Sequence, residues 1–346
     1  MKTMLVLSMG ALLLAGTLSA QTPVPEWQAG VDKVKNLIQS NPAQASEEAG
    51  ELLKGKNKKN VDLVTSVAHV YLDAGKITEA QEYLAMAKKA NNKDPKVSVL
   101  EGDIALAQKN IGQACQLYEQ AIYFDPNCKE AYLKYAQAYK SASPTQAIEK
   151  LEQLKAVDPN CLEADRELAE VYYSGNRFGK AAEMYAKFID TPLATEDDML
   201  KYAFALFLNH DFEKSLQVAQ KGLQKNARHA AFNRLVMYNN TDLKRYEDAE
   251  KAADAFFNAS DRADYSYLDY RYYGALLSAL KKYDKAIIEY GKALDKDDTQ
   301  VDLWREISDA HEMNNNYAEA IAAYRKYYDA LAKEKKTPET LFQLGR

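Results

Sequence analysis

The side chains best suited to chemistry are four arginines, Arg166, Arg234, Arg271 and Arg305, with Tyr173, Phe204, Phe207 and Tyr238 among them. Arg234, Arg271 and Arg305 succeed one another at intervals of 37 and 34 residues, and Arg166 lies 68 before Arg234. A guanidinium offers a planar fork of donors that matches a carboxylate, and it stacks on aromatic faces. Arginines interleaved with rings therefore suit an extended partner carrying carboxylates together with apolar or ring-bearing groups. Leu200 interrupts the row. Thr65, Val99 and Leu133 stand at the matching places nearer the N-terminus, so the basic row belongs to the C-terminal half. The competing reading is internal: paired with acids such as Glu163, Glu170, Asp302 or Asp309, these arginines would merely tie helices together.

Little else in the chain points to a reaction. His69, His210, His229 and His311 have no neighbour at metal-ligand spacing. Asp295, Asp297 and Asp298 form an acidic cluster without the loop glycine and terminal glutamate of a calcium site, and they read as a helix-ending turn. The sequence contains no glycine-rich phosphate loop, paired-cysteine zinc motif or nucleophile elbow. The expectation is a protein that is not an enzyme and has no cofactor and no metal. A net charge of −5 gives no electrostatic case for nucleic acid or anionic lipid. Cys128 and Cys161 occupy matching places in two Asp-Pro-Asn-Cys turns. Stacked helix pairs would hold them roughly 10 Å or more apart, too far for a disulfide, so they and Cys115 are expected as thiols.

What positions these residues is a beat of small residues. Ala80, Ala114, Ala147, Ala181, Ser215, Ala249, Ala286 and Ala320 are separated by 34, 33, 34, 34, 34, 37 and 34 residues. Self-similarity at one such period marks a repeat array in which each unit stacks only on its neighbours. Units start near Val61, Pro95, Lys129, Leu162, Glu196, Ala230, Tyr267 and Val301, and each reads as two helices. In the unit from Pro95, Gly102, Ala114 and Ala121 let the helices approach, and Tyr118 fills the space beside them. Pro126 then ends the pair. With 14 glycines and 9 prolines in 346 residues, and 47% hydrophobic content, the composition favours helices with a continuous core.

These residues resemble the tetratricopeptide repeat, whose 34-residue unit has small residues at positions 8, 20 and 27 and large ones at 4, 7, 11, 17 and 24. Position 8 is Ala68, Gly102, Ala136, Ala169, Ala203, Gly274 or Ser308. Position 17 is Phe178, Phe212, Tyr246, Tyr283 or Tyr317, position 24 is Tyr118, Tyr185, Tyr290 or Tyr324, and Trp304 stands at position 4. Most of the 24 tyrosines are thereby assigned to packing. The resemblance implies an all-α, right-handed superhelical solenoid of helix-turn-helix pairs over residues 61–346, about eight units plus the start of a ninth. Residues 21–60 read as a degenerate first repeat or cap. It also implies that the first helix of each pair lines a concave groove, where the arginines take position 5. Met237 and Asn240 should splay or shift the unit from Ala230. Phe188, Phe256 and Tyr327 at position 27 should open the neighbouring contact. The 37-residue interval should place a flexible polar loop near residues 258–264.

Residues 1–20 have the pattern of a secretory signal peptide: Lys2, an apolar run from Met4 to Leu18, and cleavage after Ala20. With no cysteine near that site and no second apolar stretch, the mature chain is expected to be exported, periplasmic or envelope-associated, without a lipid anchor or membrane insertion. Leu341, Leu344 and Gly345 start a ninth unit that stops at Arg346, as expected of a piece of a longer repeat protein. The functional expectation is a non-catalytic scaffold or adaptor that binds an extended segment or helix of a partner protein in the groove. Its rivals are a peptide- or glycan-binding module of an envelope uptake system and the interaction arm of a longer protein with a separate effector domain.

Overall fold

A computed structural model describes residues 24–260, 264–331 and Thr337; the leader and the ninth-unit residues 338–346 lie outside the described residues. Among the described residues the chain is helical throughout, with no strand, and its helices fall into two compact units divided between Asp125 and Pro126. The first unit holds α1 (Gln28–Leu37), α2 (Pro42–Leu52), α3 (Val61–Asp73), α4 (Ile77–Asn91), α5 (Pro95–Ala107) and α6 (Ile111–Phe124). The second holds α7 (Lys129–Tyr139), α8 (Pro144–Val157), α9 (Leu162–Ser174), α10 (Phe178–Phe188), α11 (Glu196–Leu208) and α12 (Phe212–Lys225). It continues with α13 (Ala230–Asp242), α14 (Tyr246–Asp254), α15 (Tyr267–Ala279), α16 (Tyr283–Lys296), α17 (Asp302–Met313) and α18 (Tyr317–Ala330). The architecture is the all-α array of helix pairs that the repeat requires. Seven of the eight first helices begin on the residue where the repeat register places them, and α17 begins one residue later.

The small-residue beat is buried at every position, from Ala80 to Ala320, because this is where the two helices of a pair cross. A Cβ on Gly102 would lie 2.5 Å from the Tyr118 ring, and one on Gly274 would lie 2.6 Å from that of Tyr290. Position 8 and position 24 therefore interlock. Ser215, the one non-alanine of the beat, keeps its hydroxyl satisfied by donating to Ala203 O at 2.8 Å and accepting from Asn239 Nδ2 at 2.8 Å. In the first unit, α1 and α2 pack Val31, Val34, Ala45 and Ala49 into the same core as Leu63, Val67 and Leu100.

The turn within each pair is closed by the main chain. Gly75, Lys109, Asn176, His210, Lys244, Lys281 and Asn315, all at position 15, have φ between 56° and 74°. Each is followed by an amide that bonds back five residues, as Lys76 N does to Tyr71 O at 2.8 Å and Asn316 N to His311 O at 2.9 Å. That is the Schellman closure of a helix C-terminus. The pair α7–α8 lacks it: α7 has 11 residues and is followed by the four-residue connection 140–143. The helix α8 thus starts at Pro144, one residue earlier in its unit than the other second helices, which accounts for the single 33-residue interval.

The unit from Ala230 departs from the others at the end of its second helix rather than in its first. Met237 is fully buried in one cluster with Ala249, Ala252, Ala253 and Phe256. The added bulk is accommodated by α14, which has nine residues and unwinds into a π-turn over Ala255–Ala259. The described part of the expected polar loop is tied down: Ser260 Oγ donates to Ala255 O at 3.0 Å and accepts from Asn233 Nδ2 at 3.1 Å. Residues 261–263 lie outside the described residues. Cys115 and Cys161 are buried thiols and Cys128 is a half-buried one.

Candidate functional site on the first helices

The arginine row forms rungs between successive first helices. Arg166 Nε on α9 donates to Asp198 Oδ1 on α11 at 3.0 Å. Arg234 on α13 reaches Asp269 on α15 with Nε at 2.7 Å and Nη2 at 3.1 Å. Arg271 on α15 places Nε and Nη2 at 2.9 and 2.6 Å from Glu306 Oε1 on α17. Arg305 is exposed and has no carboxylate within ion-pair distance among the described residues; its guanidinium lies 6.0 Å from the Tyr327 ring centre. The internal reading of the arginines thus holds for three of the four, but with different acids. Glu163 takes Lys129 at 2.8 Å, and Glu170 takes Lys201 together with the Tyr185 hydroxyl.

Asp198 and Asp269 are available because each starts a helix. Thr195 N donates to Asp198 Oδ2 at 2.8 Å and Asp198 N returns a bond to Thr195 Oγ1 at 3.2 Å, a capping box that Ser266 and Asp269 repeat. The side chains of Asp198 and Asp269 are 1% and 0% exposed. A carboxylate so buried persists only when fully hydrogen-bonded. Asp269 is: it accepts from Ser266 N and Oγ, from Arg234 twice, and from the Tyr238 hydroxyl at 2.9 Å. Arg234 in turn lies over the Phe256 ring at 5.2 Å.

Aromatic residues from three first helices form a column. Tyr238 stacks on Tyr272 at 3.9 Å with 16° between planes, and Phe207 lies 5.6 and 6.2 Å from their ring centres. Burial, followed by the Asp269 charge, pushes the Tyr238 hydroxyl far above the ordinary tyrosine value, which keeps it a donor. Tyr238 is 2% exposed, so the structure assigns it to the interior and corrects its reading as a groove contact. Tyr173, beside Phe178, stays half-buried, as do Phe204 and Phe207. Tyr272 was missed because Tyr270, Tyr272 and Tyr273 form a tyrosine-rich run in which the sequence marks no single ring as special.

Two histidines without a sequence-evident partner also join neighbouring elements. His69 Nε2 lies 2.9 Å from Asp103 Oδ2, 34 residues on, and His229 Nε2 lies 3.1 Å from Glu196 Oε1. Among the described residues there is no cluster of metal-ligating side chains and no helix long and apolar enough to cross a membrane.

A profile of the tetratricopeptide repeat matches residues 68–128, 136–193 and 274–334, together just over half of the chain. The chain belongs to the tetratricopeptide repeat family. Solved structures similar to it include a tetratricopeptide repeat protein from Parabacteroides merdae ATCC 43184, at 14% identity and a TM-score of 0.44 over 72% of this chain and 98% of that one. Pseudomonas aeruginosa pilF is similar at 15% identity and a TM-score of 0.48 over 64% and 99%. A MamA fragment from Desulfovibrio magneticus RS-1 is similar at 14% and 0.45 over 51% and 97%. No curated protein matches the sequence. The stretch between the second and third profile matches contains Met237, the π-turn and the Arg234–Asp269 pair, where this tetratricopeptide array departs most from its own pattern.

Proposed function

We propose that this chain is a non-catalytic interaction scaffold of the cell envelope, and that the first helices of its second unit hold an extended segment or a helix of a partner protein. The carrying observation is the partial exposure left after the rungs are made. The side chains of Arg166 and Arg271 remain 35% and 38% exposed, Arg305 is exposed, and Tyr173, Phe204 and Phe207 stay half-buried on the same set of helices. Arginine and aromatic side chains of this kind are the usual anchors of protein interfaces, and rungs fix them in place before a partner arrives. The apolar leader supports export. Protein binding is the customary role of the family, and a surface of this composition suits a partner with carboxylates and apolar groups.

Arg234 is a poor probe of this function, because reversing its charge would set a second carboxylate beside the buried Asp269. The informative variant is Arg305→Glu with Phe204→Gln, tested by crosslinking the exported chain in its native envelope. Capture of the partner is expected to fall by about tenfold or more while helical content and melting stay unchanged. Undiminished capture by the folded variant would remove these helices from the interface.

A further inference from the structure

The N-terminal unit carries a cationic cleft that the arginine rungs do not involve. Gly55, at φ +62°, opens a 3₁₀ turn over Gly55–Lys59 that joins α2 to α3. Asn57 Nδ2 holds the turn by donating to Leu52 O at 2.9 Å, and Asn60 caps α3 by accepting from Leu63 N at 3.2 Å. The turn lies beside α4 and leaves a cleft of about 370 Å³. Ala85, Met86 and Ala90 of α4 supply its apolar lining, Lys58, Lys59 and Lys89 its cations, and Glu82 its single acid.

Neighbouring lysines are paired: Lys54 with Glu51, Lys88 with Glu101 at 2.6 Å, and Lys96 with Asp62. For Lys58, Lys59 and Lys89, no carboxylate lies within ion-pair distance among the described residues. Lys56 adds to the concentration of charge, because residues three apart in a 3₁₀ turn eclipse and it stands over Lys59. A chain of net charge −5 thus gathers unneutralised cations around an apolar methionine. Such a cleft attracts anions and loses that attraction beyond roughly 8 Å in physiological salt.

We infer that this cleft is a docking site for an acidic peptide segment in which one aliphatic or aromatic side chain lies between carboxylates. The apolar side chain rests on Met86, whose flexible thioether adapts to its shape, and the flanking carboxylates meet Lys58, Lys59 and Lys89. Glu82 favours a peptide over a uniform polyanion. It repels a phosphate or sulfate chain running through the cleft, whereas a peptide can turn an amide N–H or a neutral side chain towards it.

The test is fluorescence anisotropy on the full chain with a short labelled peptide of aspartates and glutamates around one leucine. Saturable binding is expected, weakening by about tenfold or more in the Lys58→Gln, Lys59→Gln, Lys89→Gln chain and restored when the three are arginine. Replacing the peptide's leucine with serine is expected to weaken binding several-fold. Equal binding by the wild-type and glutamine chains overturns the site. Binding that ignores the leucine, or equal affinity for phosphatidylglycerol vesicles, overturns the peptide assignment. Should the triple variant melt early, Lys89→Gln serves instead, with an expected loss of about threefold.

Discussion

The joint between α12 and α13 and the joint between α14 and α15 solve one packing problem in opposite ways. At the first, position 27 is Gly222 and position 3 of the next unit is Phe232; a Cβ on Gly222 would lie 2.4 Å from the Phe232 ring. At the second, position 27 is Phe256 and position 3 is Asp269, both fully buried. One ring fills each joint, and what differs is the helix that supplies it. Where the ring comes from position 27, position 3 is released from packing and becomes an acid that caps its helix and captures an arginine from the preceding unit. Phe188 and Asp198 repeat this arrangement with Arg166. At these two joints the acid at position 3 enters the interior where the preceding helix has already supplied the bulk. The buried Asp165, at position 4 of its unit, is held by Lys155 and Lys187 instead.

The comparison breaks most sharply at Asp269. Asp269→Ala removes the cap and strands Arg234 and Tyr238, an expected loss of about 3–5 kcal/mol in chemical denaturation. A loss under about 1 kcal/mol would mean that the pair is incidental. At the opposite joint, Gly222→Ala overpacks the Phe232 ring at an expected cost of about 1–3 kcal/mol. Phe232→Leu in the same chain should recover part of it, and a double-mutant cycle reads that coupling; strict additivity would show that the two residues do not share the space.

The smallest effect sharpens the contrast between buried and exposed rungs. The hydrogen bond from Lys129 holds Glu163 below the usual carboxylate range, yet both side chains are over two-fifths exposed. Because the folded value is depressed, this stabilisation is present above the unfolded value and is lost as pH falls through the folded one. Lys129→Met should cost about 0.2–1 kcal/mol at neutral pH and nothing at low pH, as read by melting across an acid series. A cost that persists at low pH would assign the effect to packing of the lysine stem.

The alanines were legible because a helix crossing tolerates only small residues, so position and identity coincide. The arginine partners were not, because acids lying close along the same helices compete as candidates. The signal that distinguishes Asp198 and Asp269 is the hydroxyl residue three positions earlier, Thr195 or Ser266, the mark of a helix start. Tyr238 was legible as an aromatic residue on a first helix but not as buried, since its burial depends on Tyr272 from the next unit. The left-handed turns left almost no trace: Lys109, His210 and Lys244 look like ordinary surface residues.

Those turns bear on how such a chain changes in length. A left-handed residue recurs at position 15 in seven of the eight repeats, as glycine once and as lysine, asparagine or histidine elsewhere, and main-chain bonds close each turn. A gene crossed over between two such points gains or loses one whole hairpin, and the new junction has the same closure as the old. Duplication and deletion can then proceed without inventing a connection, which leaves the joints between hairpins, whose filling differs from one to the next, as the places where a new arrangement has to be made to fit.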